Sequence, residues 1–280
     1  MISYENLVTE VIETHKSHPV DILNVGDQEG EYIYLRSHRS SYTRTVRDVA
    51  SLLEKQNIKE VKIIEIGSFL GVVSVSLARL GFDVDAYDIP EFYASDNLRK
   101  LYEREKINFQ GGNLRHRHLP YGDNTFDCVV ICETLEHLNF NPLPIINEIN
   151  RVTKTEGFLY IGMPNIAEIG NRLKLIRGKS IHPSIERFFQ QLDRTQNMVA
   201  GLHWREYSLQ ETREIVERMG YKVIKYYYFS NLDEDMKFVN IKSLIKKILY
   251  LYEPLKPYQV VIAQKKEKKN FDFWLTEANT

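Results

Sequence analysis

The run Glu133-Thr-Leu-Glu136-His137 places two carboxylates and an imidazole within five residues, at the end of an apolar segment. If the chain turns helical there, positions i, i+3 and i+4 share one face and the three side chains converge. That is a ligand set for a divalent ion: Mg2+ or Mn2+ from its oxygen content, with Fe2+, Co2+ and Zn2+ also able to take it. A fourth candidate is His203, in Gly201-Leu-His-Trp-Arg-Glu-Tyr-Ser208. Two other readings stay open. Without a metal, His137 touches a substrate or serves as a general base and Glu133 lies near a cofactor. In the plainest case these side chains only cap and pair.

A second group lies earlier. Val61-Lys-Ile-Ile-Glu65-Ile-Gly67-Ser68-Phe-Leu-Gly71 has an acidic residue near the end of a buried strand, then turns through glycines into a helix. Gly67 and Gly71 permit a tight turn and close approach of the backbone, and the helix start offers free N–H groups to a polar ligand, although such turns also occur for structural reasons alone. The next strand ends Val84-Asp-Ala-Tyr-Asp88. A carboxylate at that place in doubly wound folds can accept from both hydroxyls of a ribose.

Positioning these residues calls for an alternation of strands and helices. Strands are expected at 61–66, 82–87, 107–110, 126–131, 158–162, 221–229 and 258–264, enough for one seven-stranded, mostly parallel sheet of an α/β Rossmann-like domain with helices on both faces. Helices are expected at 70–80, stopped by Gly81, and at 142–152, where Ile145, Ile146, Ile149 and Val152 recur at helical spacing. Ser208 and Glu211 form a capping box before a helix that ends at Gly220. The expectation is a single domain over 1–280: a helical lead at 1–58, a core at 59–265, an insertion at 166–202 and a tail at 266–280. The lead closes with a helix carrying Val46, Val49, Leu52 and Leu53 on one side, suited to pack on the sheet or close over a ligand. The insertion after the fifth strand is too long for a plain connection and reads as a lid or substrate-recognition element. A further helix is expected at 238–252, and the basic run Lys265 to Lys269 reads as part of a solvated tail.

Composition bounds the partners. A net charge of −1 gives no global field to draw in a polyanion, so nucleic acid is disfavoured. Cys128 and Cys132, the two cysteines, share one apolar segment and are expected to be reduced and buried. No leader opens the chain at Met1 and no apolar run nears the ~18 residues of a membrane span, so a cytoplasmic location is expected.

In order along the chain, Glu65-Ile-Gly-Ser-Phe-Leu-Gly71, Asp88, Gly112-Asn113, Leu119-Pro-Tyr-Gly-Asp-Asn-Thr-Phe-Asp127, Glu133-Thr-Leu-Glu-His137 and Gly157-Phe-Leu-Tyr-Ile-Gly-Met-Pro-Asn165 resemble the class I S-adenosylmethionine-dependent methyltransferases. The resemblance covers roughly residues 42–265. It implies that Glu65, Gly67, Ser68 and Gly71 surround the methionine end of the cofactor, with Glu133 nearby. It further implies that Asp88, followed by Ile89, holds the ribose, and that Asn113 and Leu114 border the adenine. Phe69 stands where a middle glycine is usual, and Asn113 replaces a common aspartate; its amide oxygen can still accept from the adenine amino group. A nicotinamide dehydrogenase shares such a glycine turn but does not explain the Leu-Pro-Tyr-Gly and Glu-His-Leu pieces.

Glu-x-x-Glu-His with a distant histidine is similar to the metal-dependent branch of these enzymes, the small-RNA 3′-terminal 2′-O-methyltransferases and the ubiquinone-pathway O-methyltransferases. That similarity implies metal binding by Glu133, Glu136, His137 and His203, with Glu136, His137 and His203 at the chemical centre. The insertion more loosely resembles that of methyltransferases encoded with surface-polysaccharide pathways. A saccharide hydroxyl is therefore the expected acceptor, nucleotide- or lipid-linked if Arg172, Lys174, Arg177 and Lys179, with Arg115 and Arg117, hold its phosphates. An RNA 3′ end, small-molecule N-methylation and a non-catalytic cofactor-binding scaffold are the alternatives.

Overall fold

In the computed structural model, which describes residues 3–20, 28–190, 201–231, 241–269 and 271, the central strand β1 (Lys62–Ile66) is Lys-Ile-Ile-Glu-Ile and nearly all of it is buried. Such a strand needs cover on both faces, as in a parallel sheet between helical layers. The other strands are β2 (Asp83–Asp88), β3 (Asn108–Gly111), β4 (Phe126–Cys132), β5 (Thr153–Pro164), β6 (Tyr221–Phe229) and β7 (Tyr258–Lys265). They form one seven-stranded sheet in the order β3-β2-β1-β4-β5-β7-β6. Pairing is parallel from β3 through β5, and β7 runs antiparallel to both β5 and β6. The expected strands agree to within about two residues, except that β5 begins five residues early, at Thr153 against the expected 158.

Alternate side chains on each strand supply two cores. Ile63 and Val130 face one layer, with Val8 of α1 (Tyr4–Ser17), Val46 and Val49 of α3 (Arg39–Leu53), Val75 of α4 (Val72–Arg79) and Leu98 of α6 (Asp96–Glu105). Ile64, Val129 and Ile131 face the other, with Ile145 and Ile149 of α7 (Leu143–Val152) and Val216 of α10 (Leu209–Arg218). The N-terminal lead therefore packs on the sheet. It includes α2 (Gln28–Ser37), which with the short α5 (Pro90–Tyr93) completes this side. The capping box at Ser208 and Glu211 is formed as expected.

The insertion carries α8 (Ile169–Ile176) and α9 (Ile185–Gln190); its residues 191–200 lie outside the described residues. The expected helix at 238–252 appears as α11 (Ile241–Leu249), with 232–240 also outside them. Cys128 and Cys132 are free thiols in the core. One expectation is corrected. Lys265 is no tail residue: it is 1% exposed, and its Nζ donates to Asn150 O (2.7 Å), Thr153 O (2.6 Å) and Asn124 Oδ1 (3.1 Å). Three acceptors around one ammonium make that burial tolerable.

β1 is flanked by β2 on one side and β4 on the other, so the chain departs from it in both directions. The crevice outside the carboxyl ends of β1, β2 and β4 is the place where open α/β sheets take their ligands. Among the described residues no helix is long and apolar enough to cross a membrane.

Candidate active site

The loop after β1 is drawn over the end of β2 by backbone hydrogen bonds: Gly67 and Ser68 N–H both donate to Tyr87 O, at 2.8 and 3.3 Å. Gly67 and Gly71 have φ of +77° and +74°, and a Cβ on Gly71 would sit 2.4 Å from the Tyr102 ring. Phe69 also has a positive φ, +46°, a conformation costly for a bulky residue. Its ring meets Tyr34 and Phe92 edge to face at 5.7 and 5.2 Å, and its N–H donates to Asp88 Oδ2 at 2.7 Å.

Asp88 is clamped from both sides, since Ile89 N–H donates to Oδ1 at 2.7 Å. Burial pushes its carboxyl up to about 6 against these two bonds. Glu65 turns toward the start of α4, where Ser74 donates to Oε2 through both its N–H, at 2.8 Å, and its hydroxyl. Burial pushes Glu65 up to about 8. Such an acid ionises readily only when a cation arrives beside it.

A cavity opens over these groups. Of the residues assigned to the cofactor, Glu65, Gly67, Ser68, Asp88, Ile89, Asn113, Leu114 and Glu133 all line it, and Gly71 stands behind the lining. Asn113 Oδ1 already accepts from Arg115 N–H at 2.9 Å, capping the turn Leu114–His116, so only its remaining lone pair faces any other donor. Arg115 itself is engaged by Asn139 and lies over the Phe140 ring at 5.1 Å. Sequence reasoning named neither Tyr34 nor Tyr42, which line the cavity from α2 and α3. Their signal was a helix over the site, with no motif to single them out.

Beside the cavity, after β4, the chain does not turn α-helical. Glu133 adopts a φ of +51°, and only a single 3-10 turn, Leu135–His137, follows. Glu136, His137 and His203 nevertheless converge, their candidate ligand atoms all within 4.8 Å of one another; Glu133 is outside that set. His203 arrives because Trp204 and Arg205 N–H donate to Glu136 O at 2.7 and 3.3 Å, pinning residues 203–205 to the turn. The two imidazoles meet edge to face at 4.8 Å. His137 Nδ1 lies 3.3 Å from Leu202 O and His203 Nδ1 lies 2.9 Å from Glu206 Oε1. A backbone carbonyl or carboxylate on one ring nitrogen is how ligating histidines are oriented, leaving Nε2 for a ligand.

The carboxyls here are strained electrostatically. Glu136 is fully buried; neither of its oxygens, nor Glu133 Oε1, accepts a well-formed hydrogen bond among the described residues, and the Glu133 and Glu136 carboxyls lie close enough to share a proton. Burial pushes both acids up; the Glu133 charge raises Glu136 further, whereas Glu133 is raised further by Glu206 and lowered by Ser41 and Glu136. Burial also pushes His137 down to about 4, with His203 and His38 adding to it. His38, at the junction of α2 and α3, and Glu206 are part of this neighbourhood and were not foreseen.

A family model described as a methyltransferase domain matches residues 64–161. The chain is 46% identical over 119 residues to an uncharacterized protein of Methanocaldococcus jannaschii, covering 42% of this chain and 48% of that one. It is 29% identical over 120 residues to a ubiquinone biosynthesis O-methyltransferase of Colwellia psychrerythraea, covering 42% and 47%. The chain thus spans about half the length of the curated relatives it matches. The fold is similar to magnesium protoporphyrin IX methyltransferase of Synechocystis with bound SAH, at a TM-score of 0.55 and 16% identity over 83% of this chain and 87% of that one. The matched segment runs from β1 into β5, through the glycine loop, Asp88 and Glu133 to His137, and leaves His203 and the insertion outside it.

Proposed function

We propose, from the methyltransferase domain at residues 64–161 and its Rossmann-like sheet, that this chain is an S-adenosylmethionine-dependent O-methyltransferase acting with a divalent metal on a saccharide hydroxyl. The observation that carries the chemical half of this reading is the meeting of Glu136, His137 and His203 at the mouth of a cavity lined by Glu65 and Asp88.

The residues suit the cofactor. Asp88, fixed by two backbone N–H groups, presents carboxylate lone pairs to a ribose diol, and Glu65 supplies a counter-charge for the methionine ammonium. Leu114, Leu138 and Phe140 give the adenine an apolar wall. When bound, the cofactor supplies an electrophilic methyl group on a sulfonium, and in-line alignment with the acceptor oxygen supplies much of the acceleration.

The residues at the cavity mouth suit a metal as well. Oε1 and Oε2 of Glu136 and Oε1 of Glu133 belong to buried carboxyls that are costly to ionise without a cation, and two oriented imidazoles stand beside them. Glu136, His137 and His203 would hold the ion, with Glu133 next to it. Such an ion would lower the pKa of water bound to it to about 7 and would activate a hydroxyl likewise. Vicinal hydroxyls of a sugar can chelate it, which supports a saccharide acceptor.

The reading is tested by methyl transfer from labelled cofactor to nucleotide- and lipid-linked saccharides, before and after chelation and with Mn2+ restored. Transfer that is lost on chelation and returns with Mn2+ is expected. Glu136→Gln and His203→Ala should each weaken Mn2+ binding, measured by calorimetry, by at least tenfold. Full activity in metal-stripped protein would remove the metal, and tight cofactor binding without transfer to any acceptor would remove the enzyme.

A further inference from the structure

The insertion places exposed apolar side chains among the cations that the sequence reading offered to an acceptor's phosphates, and phosphate binding leaves those apolar side chains unused. Between Asn171 and Ser184 the chain carries Arg172, Lys174, Arg177 and Lys179 and no carboxylate, and residues 172–180 are all exposed. Interleaved with these cations are Leu173, Leu175 and Ile176, the last 81% exposed. α11 repeats the pattern. From Ile241 to Tyr252 the chain has three lysines and no carboxylate, while Ile248 and Leu251 are 60% and 83% exposed.

These two segments are neighbours. Asn165, just before α8, donates from Nδ2 to Pro254 O and Lys256 O, at 3.0 and 2.9 Å, and so ties the root of the insertion to the turn Glu253–Leu255 that follows α11. Tyr228 of β6 is within electrostatic reach of both. Its hydroxyl, raised first by burial, is raised further by Tyr252 and lowered by Arg172. Two described carboxylates at the ends of these segments are engaged: Glu168 accepts from Gly170 and Asn171 N–H at the start of α8, and Glu253 pairs with Lys256.

We propose that α8 and α11 form an interfacial docking surface for an anionic lipid bilayer. A chain of net charge −1 has no general attraction for such a surface, so six cations, Arg172, Lys174, Arg177, Lys179, Lys246 and Lys247, with no carboxylate among them make a local complement to it. Isoleucine and leucine between lysines on a helix that cannot span a bilayer are the side chains of a segment lying in the headgroup region. The surface also lies beside the chemistry: Ile181, His182 and Pro183 of the insertion border a small pocket with His203 and Glu206. Docking would hold the cavity mouth toward molecules carried in the membrane. This inference does not depend on the metal or on the saccharide.

The test is co-sedimentation of the full chain with vesicles of phosphatidylcholine alone and with one third phosphatidylglycerol, at low and at physiological salt. Binding to the anionic vesicles, weakened by salt and absent from neutral ones, is the expected result. Leu175→Ser with Ile176→Ser, Ile248→Ser with Leu251→Ser, and Lys246→Glu with Lys247→Glu should each reduce the bound fraction's partition coefficient at least tenfold. Cofactor affinity, measured in parallel by calorimetry, should stay unchanged and shows that each variant is folded. No sedimentation, binding indifferent to all three pairs, or a dimer in light scattering that the same apolar substitutions dissolve would each overturn the proposal, the last by making this face a contact between copies.

Discussion

Glu65 is the residue at which burial and function meet most directly. Desolvation pushes its carboxyl up to about 8, so at neutral pH and without ligand it is largely protonated. A methionine ammonium beside it favours the carboxylate, and binding then releases a proton. Affinity for the cofactor should therefore rise as pH goes from 6 to 8, where the free protein still carries that proton, and then level off. Calorimetry in buffers of different ionisation enthalpy measures the release directly. Glu65→Gln should bind at least tenfold more weakly and lose the pH slope; an unaltered slope would place the titration elsewhere. Glu65 and Asp88 were legible in the sequence because an acid at the end of an apolar run has few structural uses. Tyr34, Tyr42 and His38 were not. They reach the site from helices whose residues follow only the periodicity of packing, and nothing in their spacing says which faces a cavity.

At the scale of elements, the loop between β1 and α4 shows how local conformation sets the site. Three of its residues, Gly67, Phe69 and Gly71, have positive φ, and the sequence reading recognised two because they are glycines. Phe69 was seen only as a departure from a pattern; its ring compensates for backbone cost by packing between Tyr34 and Phe92. The turn after β4 resisted the sequence reading for a related reason. A helix through Glu133 to His137 was one way to bring the side chains onto one face, yet Glu133 takes a positive φ, a choice its residue type does not announce. Convergence of Glu136, His137 and His203 survives because the backbone of Glu136 anchors residues 204 and 205. The loop offers a direct test in Gly71→Ala. An L-residue in the left-handed region costs about 1–2 kcal/mol, and the new methyl group would press on the Tyr102 ring. Urea unfolding should show a loss of at least about 2 kcal/mol, with weaker cofactor binding. A variant as stable as the parent would show that the loop relaxes freely and does not hold the cavity in shape.

For the whole molecule, the alternation of strands and helices was legible because β1 and β4 are short, mostly apolar runs and α7 and α10 carry clear stripes. The placement of chain ends was not, since it depends on contacts between distant segments. Lys265 looked like the start of a basic tail and is instead enclosed by Asn124, Asn150 and Thr153. At the other end, His15 of α1 is 4% exposed, with Nε2 unpartnered among the described residues and the Leu70 backbone beside the ring. Burial pushes its pKa from 6.5 down to about 4. The unfolded chain protonates this histidine as pH falls below 6.5, while the folded chain resists until about 4. Over that window the unfolded state binds more protons, so the contribution to stability is intact above pH 6.5 and is lost progressively on acidification, by about 3 kcal/mol at pH 4. Glu65, whose carboxyl is raised, works in the opposite direction between pH 8 and 4.5, so the total curve mixes both. The difference between the parent and His15→Leu isolates the histidine. In urea titrations at pH 7.5, 6, 5 and 4.5, the parent should lose stability relative to the variant at each step below pH 6.5. A constant difference would mean that His15 is open to protons in the folded chain and that α1 does not seal the layer against the sheet.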